Sequence, residues 1–275
     1  MKNSTKKERR AHDSTKTRVA PVFDALRKQD RTGEKWLSLL LSLPRAGKPI
    51  DAALAGATGA VGAIDEARWD SLKNRKRREK RLAPPASLLS WLVRHLGEAH
   101  PDDIEGKDAK AGRRRALQAG DPATVAKALA KLSSDPRTRA WYVLEGQSCP
   151  DVFLSTPDAL VVIEGKRTEA GPTKGTTWLP GRHRILRHMD AAYEIAGRRP
   201  VLGFFIVEGE SESEFPSDWL EAAHETLSPE AIEHSLPHRP PAEREAIARG
   251  FLGVTTWQEV CDRCGLDRGI LIDRV

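Results

Sequence analysis

One stretch, Cys149-Pro-Asp-Val-Phe-Leu-Ser-Thr-Pro-Asp-Ala-Leu-Val-Val-Ile-Glu-Gly-Lys166, constrains the fold of this 275-residue chain more than any other. Its first arm, Asp151 to Leu154, is aromatic and β-branched. Its second, Ala159 to Ile163, is an unbroken apolar run, and Ser155-Thr-Pro-Asp158 between them is turn chemistry. The spacing predicts a β-hairpin. Closed symmetrically around Pro157 and Asp158, it sets Thr156 opposite Ala159, Phe153 opposite Val162 and Asp151 opposite Glu164. Opposed residues of an antiparallel pair have Cα atoms roughly 4.5–5.5 Å apart and share a face, so two carboxylates meet. Lys166 lies two residues beyond Glu164, and strand alternation returns it to that face.

Two acids beside an ammonium group suit a divalent cation and phosphodiester hydrolysis. Mg²⁺ is a hard ion that takes one or two carboxylates and keeps its other positions for water and phosphate oxygens. The metal lowers the pKa of bound water, and a neighbouring lysine orients or deprotonates that water. The backbone carbonyl of Gly165 is a further hard donor.

Pro150-Asp151 followed by Glu164-Gly165-Lys166 resembles the PD-(D/E)XK nuclease superfamily, which includes many restriction enzymes, DNA repair nucleases and resolvases. The resemblance implies that Asp151 and Glu164 hold Mg²⁺, with Mn²⁺ as a substitute, and that Lys166 positions the nucleophilic water. It also implies a restriction endonuclease-like α/β core of order α-β-β-β-α-β, a mixed sheet flanked by helices. Two decoys test the motif. Ile104-Glu-Gly-Lys107 repeats the tetrapeptide but sits in polar, glycine-bearing surroundings. Pro157-Asp158 falls in the turn, six extended residues or about 20 Å from Glu164.

Charge divides the chain. The whole carries +6, yet residues 1–120 hold 27 basic against 15 acidic residues and residues 121–275 hold 18 against 24. A basic half is the electrostatic footprint of a polyanion partner. Residues 1–18 read as a disordered basic arm and 19–120 as a basic helical region, with helices expected over Val19–Lys28, Glu34–Leu43 and Ser87–Glu98. Within that region, Lys73, Arg75, Lys76, Arg77 and Arg78 belong to a run with seven basic residues in nine, a candidate phosphate grip. Residues 101–120 read as a charged connection holding Arg113-Arg-Arg115. The glycine-rich run Asp51–Gly62 lacks the Gly-Lys-Ser/Thr ending of a phosphate loop.

From 121 to 275 the order suggests the nuclease core with a helical C-terminal tail. A helix starts at Asp121-Pro122, and Arg139–Glu145 reads as the first of three strands, making Glu145 a candidate third acid. Residues 167–178 read as a polar loop. A helix over Arg182–Ala196 offers Arg187 and His188 as phosphate contacts, and Val201–Val207 reads as a strand buried on both faces. His234, His238, Cys261 and Cys264 have zinc-like internal spacings, but Pro237 interrupts the histidine pair and a lone CxxC is weak, so structural zinc is not expected. Three cysteines make no disulfide framework, and Trp36–Leu43 is too short to span a bilayer. A cytoplasmic protein without membrane contact is expected.

These features together suggest a Mg²⁺-dependent nuclease acting on nucleic acid, double-stranded DNA foremost, with a homodimer as the simple route to cutting both strands. The competing expectation is a non-catalytic nucleic-acid-binding protein that retains the nuclease fold.

Overall fold

Alternating apolar residues on adjacent strands create a sheet with two faces to bury, and the chain covers both. The computed structural model describes residues 14–45, 61–70, 79–134, 140–169, 171–172, 174–209 and 217–271. Its strands are β1 (Glu66–Trp69), β2 (Val152–Ser155), β3 (Leu160–Gly165), β4 (Lys174–Thr176), β5 (Leu179–His183), β6 (Val201–Val207) and β7 (Phe251–Thr256). The helices are α1 (Ala20–Gln29), α2 (Leu37–Leu41), α3 (Ala86–Arg94), α4 (Leu96–Ala99), α5 (Ala109–Gln118), α6 (Pro122–Ser134), α7 (Arg184–Ala196), α8 (Ser217–Thr226), α9 (Pro229–Ser235), α10 (Pro241–Arg249) and α11 (Trp257–Arg263).

Five strands form one mixed sheet in the order β1-β2-β3-β6-β7, and β4 pairs with β5 apart from it. β2 is antiparallel to β1 and β3, whereas β3, β6 and β7 are mutually parallel. On one face Val161, Ile163, Leu202, Phe204 and Ile206 meet Phe23 and Leu26 of α1, Trp36 just ahead of α2, and Trp257 of α11. On the other, Leu160, Val162, Val201, Phe205 and Val207 meet Ile185, Leu186 and Met189 of α7. Gly203 permits that approach, since a Cβ there would lie 2.4 Å from Met189 Sδ. A third apolar cluster joins α3 to α6 with Trp141, Tyr142, Leu144 and Leu179. Leu82 and Ser148, at the ends of this helical excursion, exchange two backbone hydrogen bonds of 2.8 Å, closing a neck.

Several expectations are met closely. The hairpin register pairs Phe153 with Val162 and Val152 with Ile163, and the Thr156 amide donates to the Ala159 carbonyl. Gly197, at φ +65°, ends α7, and Thr256 caps α11 through its side chain.

Others need correction. Residues 140–145 are not a strand. Trp141 and Tyr142 are buried in the helical cluster, and the third strand of the meander is β1, from far upstream. The boundary expected at residue 120 does not follow the packing, because β1, α1 and α2 build the sheet and one of its faces. Residues 109–118, read as a connection, form α5, started by Asp108 accepting from the Ala111 amide. The loop expected over 167–178 includes β4 and runs into the β4–β5 hairpin. Of the arm expected over 1–18, residues 14–18 are described. Thr15–Val19 is a π-helical turn, and Arg18 within it is buried and paired with Glu208 at 2.6 Å. The basic residues Lys73, Arg75, Lys76, Arg77 and Arg78 lie outside the described residues. Among the described residues no helix is long and apolar enough to cross a membrane.

Candidate active site

The site begins with the turn. Thr156 Oγ1 accepts from the amides of Asp158 at 3.2 Å and Ala159 at 2.9 Å, so a threonine side chain locks the hairpin and with it the register. Register brings Asp151, just ahead of β2, beside the end of β3, where its Oδ2 accepts from the Gly165 amide at 2.8 Å. Gly165 cannot carry a side chain. An added Cβ would stand 2.6 Å from Val19 Cγ2 and 2.8 Å from Trp257 Cζ2. Trp257 in turn donates its indole N–H to the Lys166 carbonyl at 2.9 Å, fixing the backbone from which the lysine departs.

Glu164 is fully buried and surrounded by cations. Lys166 Nζ is 2.9 Å and Arg184 Nε 2.8 Å from its Oε1, while His188 Nε2 is 3.1 Å from its Oε2. His188 Nδ1 lies 2.5 Å from Ser148 Oγ. One neutral tautomer satisfies this chain, with Nε2–H donating to Glu164 and Nδ1 accepting from the serine hydroxyl. Burial drives the His188 pKa down, against the pull of Glu164, which favours that neutral form.

The two carboxylates are pushed apart in acidity. Burial, then the negative charge of Glu164, raises Asp151 to about 7, outweighing the Gly165 amide and Lys166. For Glu164 burial acts upward too, but the His188 hydrogen bond and the charges of Arg184 and Lys166 prevail, leaving it at about 2. Such separation is what neighbouring acids show when they share one site.

Hard-cation chemistry fits this pair. Glu164 Oε1 is buried without a well-formed hydrogen bond, and Asp151 is destabilised as an anion by burial and by the charge of Glu164. Among the described residues no three His, Cys, Asp or Glu side chains gather as a metal set. Mg²⁺ can be held by one or two carboxylates, with water completing its shell.

The remaining sequence candidates fall elsewhere. Glu145 is buried but faces Arg182 at 3.2 Å and Arg187 at 3.1 Å, so it anchors arginines instead of joining the acids as a third ligand. Arg187 spends its Nη2 on the carbonyls of Gly146 and Gln147. His188, expected at a phosphate, is buried and stands behind Glu164, because its ring lies inward on α7. Ile104–Lys107 is loop, and Asp158 accepts from the Gly62 amide, away from the cluster. Cys261 and Cys264 lie in the apolar core, their thiols pushed up to about 12 and about 11 by burial, while His238 is 3.3 Å from Asp190. Sequence reasoning missed Arg184, which helical spacing points to, since it sits four residues before His188 on one face. It also missed Ser148 and Thr15, whose hydroxyl is 3.4 Å from Asp151 Oδ1. Both approach through tertiary folding alone. No family model matches the sequence, and neither a curated protein nor a solved structure matches the chain.

Proposed function

We propose that this protein is a metal-dependent nuclease of the PD-(D/E)XK type that hydrolyses phosphodiester bonds in DNA. The observation that carries the reading is the convergence of Asp151, Glu164 and Lys166 at one end of the β2–β3 hairpin, with Lys166 Nζ 2.9 Å from Glu164 Oε1. Topology adds support. The helices α1 and α2, the meander β1-β2-β3, the helix α7 and the strand β6 follow the α-β-β-β-α-β order, with β2 alone running against the other strands of the sheet.

In this reading Asp151 and Glu164 hold Mg²⁺, which supplies an activated water and offsets charge on the phosphate. Lys166, held at its carbonyl by Trp257, aligns the attacking water. Arg184 has 39% of its side chain exposed, enough to turn from Glu164 toward a phosphate oxygen. His188 and Ser148 keep the Glu164 carboxylate oriented and ionised.

The test is cleavage of supercoiled and linear DNA with Mg²⁺ or Mn²⁺, joined to thermal unfolding with and without metal. The unmodified protein is expected to cut and to gain Tm with metal; Asp151→Asn is expected to do neither, and Lys166→Ala to keep the metal response while losing cleavage. DNA binding with neither cutting nor a metal response in the unmodified protein would replace the enzyme by the binding-protein alternative.

A further inference from the structure

A groove of about 590 Å³ lies beside the candidate site, between α5, the segment 143–146, the β4–β5 hairpin and α7. Its volume falls within the roughly 300–1,000 Å³ of pockets that take nucleotide-sized ligands. Lys110 and Arg114, four residues apart on α5, present two cations to it from one helix face. Arg114 Cζ stacks 4.6 Å over the Trp178 ring, and its Nε donates to the Trp141 carbonyl at 3.2 Å, so the guanidinium is fixed in place. Across the groove stands Arg187. The acid lining this space, Glu145, is paired with Arg182 and Arg187, and Arg182 also pairs with Asp190, so the Glu145 charge is offset by its neighbours.

The groove neighbours the candidate site along α7. Arg187, which lines it, lies one turn beyond Arg184, and Arg184 contacts Glu164. Gly146 lines the groove without a side chain, and a Cβ there would meet nothing within 4 Å, so the groove is open at that point. Paired cations along an open groove are components of a nucleic-acid track.

We infer that this groove binds the nucleic-acid strand flanking the scissile phosphate, Lys110 and Arg114 taking its phosphodiester groups. The inference rests on the nuclease reading for its place next to the cut. It moves the grip from the basic run at 73–81 to a surface made by the helical unit and the β4–β5 hairpin.

The test uses the full chain and a short fluorescein-labelled DNA, single-stranded and duplex, read by anisotropy across a salt series without divalent metal. The double variant Lys110→Glu/Thr177→Glu places negative charge at the groove; Thr177 is exposed, and Arg114→Gln serves as a second variant, with Tm recorded for each. The expected result is binding at least about tenfold weaker and a shallower slope of log K against log salt. Unchanged affinity and KM in folded groove variants of a protein that cuts DNA would overturn the groove and leave the nuclease reading standing. Weakened binding in those variants of a protein that never cuts would uphold the groove as a nucleic-acid site while the nuclease reading falls. No binding by the unmodified protein, or equal competition by poly-glutamate, would overturn the groove outright.

Discussion

Asp151 is held at a cost to the metal-free fold. Its carboxyl titrates near 7 in the folded chain against 3.8 as the ordinary value, so the folded state binds the extra proton between those pH values. The Asp151 contribution to stability therefore declines as pH rises from about 4 to 7, by up to about 1.4 kcal/mol per pH unit, and then levels. Asp151→Asn keeps an acceptor for the Gly165 amide and removes the charge. In EDTA it should unfold at higher temperature than the unmodified protein at pH 8, and the gap should shrink by pH 5. On the proposed metal reading, saturating Mg²⁺ should reverse the order, since only the unmodified carboxylate would gain from the cation. A scan of Tm against pH with and without metal reads all three outcomes. Gly165→Ala is a different residue-scale test. Its Cβ collides with Val19 and Trp257, so overpacking should cost about 1–3 kcal/mol in urea unfolding and displace Lys166 as well.

At the scale of elements, α7 carries the site and is fastened from behind. Asp190 is fully buried and takes Arg182 of β5 at 2.8 Å, Arg239 at 2.8 Å and His238 at 3.3 Å, while Arg182 also donates to the Ser235 carbonyl in α9. Removing one partner strands the other charges, so Asp190→Ala should lose about 3–5 kcal/mol by urea titration. Because α7 presents Arg184 and His188 from its other flank, the same variant should lose catalysis beyond what its unfolded fraction explains.

Much of this level was legible in sequence. The β2–β3 register, β6 and α7 followed from periodicity and turn residues, because each buries its own apolar pattern. The first strand of the meander did not. Glu66-Ala-Arg-Trp69 has four residues and one deeply buried side chain, and it becomes a strand by pairing with β2. Trp141 and Tyr142 look like strand residues for the opposite reason, being aromatic in order to pack against helices. α5 escaped notice because only Ala111 and Leu117 are buried while three arginines occupy its middle. Of the site, the motif was visible and two of its supports were not, since Ser148 and Thr15 act across gaps that spacing does not encode, whereas Arg184 was signalled only by its place four residues before His188.

For the whole molecule, acid should act in two opposing ways. Glu164 and Asp190 both titrate below their ordinary values, 4.5 and 3.8, when folded, so their stabilisation is complete above those values and is lost as pH falls toward 2. Asp151 works in the other direction above pH 4. Burial also holds His188 below its ordinary 6.5, so under that value it loses stability as pH falls and offsets Asp151. The metal-free protein should therefore show a steep acid limb below about pH 4, and above it a slope to which Asp151 makes a negative contribution that Asp151→Asn removes. Circular dichroism melts of both proteins from pH 2 to 8 in EDTA test this, and equal slopes above pH 4 would contradict the assigned charge.

The neck between Leu82 and Ser148 divides labour along the chain. The described residues between them leave the sheet, and the chain returns to nearly the same point, since hydrogen-bonded partners in an antiparallel bridge sit about 5.5 Å apart. Asp151, Glu164 and Lys166 lie after the neck, while β1, α1 and α2 before it build the sheet and one of its faces. On the proposed reading, the helical unit can vary in what it holds without moving the two acids, as long as a replacement keeps the Glu145 pairs with Arg182 and Arg187 and the packing on Leu179.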